Sequence, residues 1–90
     1  MQVTISFDKE SAQLGQPITV TYSSEGFQTV TIQLDNMTNP LVFSGDVEGS
    51  FKTLPIIDGA FTALITGTGR AIYDNTDAAS LTATAVCIVS

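Results

Sequence analysis

Cys87 is the only thiol in this 90-residue chain, and the chain contains no histidine to act as its base. A serine or cysteine nucleophile of the usual kind needs a positioned imidazole, so that chemistry has no machinery here. One cysteine without histidine also falls short of a zinc site, which takes several such ligands. Cys87 stands in the apolar run TAVCIV, where its expected role is that of a small buried hydrophobe.

Oxygen-bearing side chains are more numerous but no better organised. SGDVEGS (44–50) and IIDGA (56–60) hold acids, yet neither spacing aims two carboxylates at one cleft. YDNTDAAS (73–80) gathers Asp74, Asn75 and Asp77, all of which carry calcium-type oxygen ligands. The run lacks the EF-hand spacing and its closing glutamate. Asx-turn chemistry is its expected use. TGTGRA (66–71) has two glycines but no helix pattern behind them, so it reads as a strand end or bulge and not a phosphate loop. No catalytic residue, cofactor or metal is expected, and the chain reads as a non-enzyme.

The net charge is −6, with Lys9, Lys52 and Arg70 as the only cations. Neutralising a phosphate backbone takes clustered Lys and Arg, so nucleic acid is not an expected partner. An anionic membrane surface is disfavoured for the same reason. No apolar stretch approaches the roughly 18 residues of a membrane span, and no insertion is expected. MQVTISFDKE has neither a cationic nor an apolar leader region. The chain is therefore expected to be made without export, unless it was cut from a longer secreted parent.

What remains is contact chemistry. Phe27, Met37 and Tyr73 fall between the extended runs, and aromatics and methionine are favoured at protein interfaces. These three are the candidate interface residues. A weak glycan contact is a further alternative, but it needs exposed aromatic platforms. The chain has no Trp, and Tyr22 is expected to point inward, which leaves Tyr73 and Phe27. Asn36 in NMT matters as a glycosylation acceptor only in a eukaryotic secretory pathway.

The elements that must carry these residues have a period of two. VTISF, ITVTYS and TVTIQLD alternate large apolar side chains with Thr, Ser or Gln, so one register buries one face of each. LVFS, GSFKTL, GAFTALITGT and SLTATAVCIV complete seven expected strands, separated by Gly, Pro and Asn breakers. DKESAQL offers the one helix-like turn. Val20, Ile32, Phe61 and Ile65 are the expected central core. The last two strands carry apolar residues on both faces. Loops are expected to cover the second face, and contact with a neighbour is the alternative.

Seven short strands at this spacing predict a single antiparallel sandwich over residues 1–90. LPIIDGAFTA, with Asp58-Gly59 turning and Phe61 following, resembles the E–F corner of immunoglobulin-like domains. LGQPITVTYS resembles their entry into strand B, and SLTATAVCIV their closing strand G. Three features depart from antibody domains: Phe61 has no hydroxyl, the third strand has no Trp, and there is no cysteine pair. The resemblance is thus to disulfide-free immunoglobulin-like and fibronectin-III-like modules of bacterial surfaces and phage particles. It implies a structural or interaction module of a virion, a capsid decoration or tail-associated protein assembled in the host cytoplasm. The alternative is a domain of a bacterial surface or secreted adhesin or enzyme. Either way the implied partner is protein.

Overall fold

The computed structural model describes residues 2–69 and 79–90. Its elements are β1 (Gln2–Phe7), β2 (Ser11–Ala12), β3 (Ile18–Glu25), β4 (Thr29–Leu34), β5 (Leu41–Ser44), β6 (Val47–Thr53), β7 (Gly59–Gly69) and β8 (Ala79–Val89). They form an all-β sandwich with no helix among the described residues. One sheet has the order β1-β3-β6 and the other β2-β8-β7-β4-β5. All pairings are antiparallel except β2 with β8.

The expected alternation decides which side chains face inward. On β4 the apolar Val30, Ile32 and Leu34 are buried and the intervening Thr31 and Gln33 are half-buried. β7 buries Phe61, Ala63, Ile65 and Gly67 in the same way. Ile5, Ile18 and Val20 close over them from the smaller sheet. Val20, Ile32, Phe61 and Ile65 are all core, as their positions in the pattern require. Burying each such side chain stabilises the fold by roughly 1.5–3 kcal/mol.

DKESAQL is not helical. Its Ser11-Ala12 pair forms β2, a strand beyond the seven expected, lying parallel to the end of β8. The reason is hydrogen-bond supply. Ile88 N donates to Glu10 O at 2.9 Å, Ser90 N to Ala12 O at 3.0 Å, and Leu14 N to Ser90 O at 2.8 Å. A helical turn in that segment would leave those β8 groups without partners.

The corner forms where LPIIDGAFTA places it. Gly59 has φ +110°, a backbone conformation that glycine adopts without strain. Pro55 is buried before the turn and Phe61 after it, with the Phe61 ring 5.7 Å from that of Phe7 across the sandwich. A second aromatic bridge holds the far side, where Tyr22 on β3 stacks on Phe43 of β5 at 5.5 Å.

Candidate functional site

Two of the three candidate contact residues lie among the described residues. Phe27 is only 3% exposed and belongs to the core, which corrects its expected place at an interface. Its ring lies against Gly67, a residue with no side chain to exclude it. Met37 is half-buried and packs on the core, its N–H bonded to Leu34 O at 3.0 Å. Tyr73 lies outside the described residues, as do Asp74, Asn75 and Asp77. Phe27 and Met37 therefore both serve the core, Phe27 wholly and Met37 in part.

It does bring acids together in a way the spacing of SGDVEGS did not suggest. Pairing of β3 with β6 places Ser23 opposite Glu48 and Ser24 opposite Val47, so Glu25, Asp46 and Glu48 line one shallow hollow of about 340 Å³. Asp46 is engaged there, since its Oδ1 accepts from Gly26 N at 2.9 Å. No group of three His, Cys, Asp or Glu among the described residues converges closely enough to hold a metal ion. The hollow is an acidic, open groove on the outer face of the smaller sheet. Cys87 is fully buried, and burial pushes its thiol above the usual range, with Asp8 adding to that rise and Lys9 opposing it.

The other outer face is the distinctive one. Because Phe61, Ala63 and Ile65 point inward, Ala60, Thr62, Leu64, Thr66 and Thr68 of β7 point outward. The register sets Ile88 beside Ala60, Val86 beside Thr62, Thr84 beside Leu64 and Thr82 beside Thr66. On the other flank Thr31 stands between Thr66 and Val42. Val86 and Ile88 are each 51% exposed and Val42 is 63% exposed. The described residues leave this face open. The strands contribute no charged side chain to it. Asp35 stands at its margin, where its Oδ2 accepts from Thr62 N at 2.9 Å and its N–H donates to Thr62 O at 3.1 Å.

The chain is thus two-sided. Glu25, Glu48 and Lys52 stand on the outer face of the three-stranded sheet, whereas the five-stranded sheet presents threonine hydroxyls and aliphatic side chains. Periodicity revealed that β7 and β8 were apolar on both faces. It did not reveal that Val42, on a separate strand, extends the same surface. The chain matches no protein-family model, no curated protein and no solved structure.

Proposed function

We propose that the protein is a non-catalytic interaction module of immunoglobulin-like type that serves as a virion component, either a capsid decoration or a tail-associated protein. The observation that carries this reading is the uncharged outer face of the five-stranded sheet in a chain of net charge −6. A free surface of an acidic domain gains solubility from charge. A broad strip of Thr, Val, Leu and Ile without charge has the composition of a face that another protein covers. The strand order supports the immunoglobulin-like reading, since the first, third and sixth strands form one sheet and the eighth, seventh and fourth lie adjacent in the other. The glycan alternative is weaker, because no aromatic side chain among the described residues is exposed.

Fractionating the natural source tests this reading. Particles purified by density gradient should carry the protein, and a Val86→Glu/Ile88→Glu chain should fold but fail to join them. Recovery in cell envelopes instead of particles would favour the domain of a bacterial surface protein. Recovery in neither fraction would overturn both.

A further inference from the structure

β8 is an open edge along most of its length. It pairs with β7 from Ala79 to Val89, while on its other side β2 covers only Ile88 and Val89. Ile88 N and Ser90 N turn toward that second side, to Glu10 O and Ala12 O. Backbone groups alternate along a strand, so Ser80, Thr82, Thr84 and Val86 turn theirs the same way. Those N–H and C=O groups have no strand partner among the described residues. The other edges carry protection of familiar kinds. β5 is short, β6 bears Glu48 and Lys52, and β1 runs directly into Asp8-Lys9-Glu10. Ala79–Cys87 has no charge, proline or glycine, and a long unprotected edge is a template for another strand.

We infer that this edge pairs with itself. β8 of one copy lies antiparallel to β8 of a second, joining the two five-stranded sheets into one. Two-fold symmetry demands a self-complementary register, and the one centred on Ala83 uses the open groups completely. Ser80 then faces Val86 of the second copy, and Thr82 faces Thr84. Each such pair exchanges two bonds, which makes about eight across the seam. The register uses β8 only from Ser80 to Val86, short of Ile88, where β2 begins to pair.

Charge selects a second copy as the occupant. Acidic chains repel one another, and this edge brings no like charges face to face. Thr beside Thr and Ser beside Val are also small or β-branched pairs that suit a ladder. The seven paired residues span about 24 Å, and at a depth of about 15 Å they bury about 700 Å² in total, below the range of tight specific interfaces, so the pairing is weak and concentration-dependent. It uses the edge of the sheet, whereas the proposed function rests on the face, and either can fail without the other.

Sedimentation velocity of the full chain from about 10 μM to about 1 mM tests the pairing, in the range where interfaces of this size associate. Expected is a shift from monomer to dimer, with amide exchange at Thr82, Thr84 and Val86 slowing as the dimer forms. Ala83→Cys should cross-link under mild oxidation, because residues at a non-hydrogen-bonded antiparallel position have Cα atoms about 4.5 Å apart, within disulfide reach. Thr82→Lys/Thr84→Lys, which sets like charges opposite one another, should stay monomeric with its melting temperature retained. A monomer at every concentration with unchanged exchange would overturn the inference. So would a dimer that survives the double lysine substitution, and cross-linking through Thr84→Cys but not Ala83→Cys would overturn the register.

Discussion

The ring of Phe27 occupies the space that a side chain at Gly67 would need: a β-carbon there would fall 2.5 Å from the ring. Gly67 is buried near the C-terminal end of β7, in register with Val30 and Leu81, so the close approach is a packing requirement of the core. Tyr22 and Gly49 repeat the arrangement in the other sheet, where a β-carbon at 49 would fall 2.8 Å from the Tyr22 hydroxyl. In both places an aromatic side chain covers a strand glycine that would otherwise leave a gap.

Gly67→Ala should therefore destabilise the fold by about 1–3 kcal/mol through overpacking. Phe27→Ala should cost about 3–5 kcal/mol through the cavity it leaves. Combined, the two should cost less than their sum, because the added methyl enters space that the missing ring has vacated. Urea titrations of the four proteins measure this coupling. Strict additivity would show that the ring and the glycine do not touch.

This contact explains which parts of the molecule the amino-acid sequence revealed. Period-two alternation marks each strand and its buried face, and Val20, Ile32 and Ile65 follow from it directly. Phe27 follows no such pattern, since it stands in a connection flanked by Gly26 and Gln28. Its burial depends on Gly67, forty residues along, and no local rule links the two. β2 was hidden for a related reason. A two-residue strand has no periodicity, and it exists because the end of β8 needs hydrogen-bond partners. The uncharged face was half legible, as apolar residues on both sides of β7 and β8. Its width depends on the strand order.

Two aspartates extend ladders past the ends of their strands. Asp8 N donates to Thr19 O at 3.0 Å, and Asp8 Oδ1 accepts from Thr19 N at 2.9 Å. Asp35 and Thr62 make the same reciprocal pair between β4 and β7. The carboxylate stands in for the carbonyl of a strand that has already turned away. Asp35→Ala and Asp8→Ala should each cost about 1 kcal/mol, the usual net value of one such bond. The Asn variants should keep most of it, because an amide oxygen still accepts. Equal losses for Ala and Asn, read from urea midpoints, would show that the hydrogen bond is not what these side chains supply.

Stability should fall as pH rises above about 8.5, the ordinary thiol value. Burial raises the Cys87 thiol in the folded protein, so the unfolded chain gives up its proton first. With fewer protons bound in the unfolded state, stability falls with pH, at no more than about 1.4 kcal/mol per pH unit, until the folded thiol ionises as well. Below the unfolded value the thiol makes no difference. Urea midpoints at pH 7 to 10 should show this decline, and Cys87→Ala should reduce it. An identical slope in both proteins would assign the decline to other groups.

The corner separates into an anchor and a tip. Pro55 and Phe61 are buried, whereas Ile56 and Ile57 are 71% and 75% exposed beside a small hollow of about 140 Å³ shared with Asp35 and Asn36. Phe61 has no hydroxyl with which to tie the corner, so packing against Phe7 is what holds it. Phe61→Ala should therefore cost about 3–5 kcal/mol, enough to unfold a small domain at ordinary temperature. Phe61→Leu should cost less, because it refills part of the volume. Ile56→Ser and Ile57→Ser should each change stability by no more than about 0.5 kcal/mol, as surface substitutions do. Thermal melts of the four variants distinguish the two halves. Large losses at Ile56 or Ile57 would mean that the tip is packed against something, and the corner would then be a contact site as well as a turn.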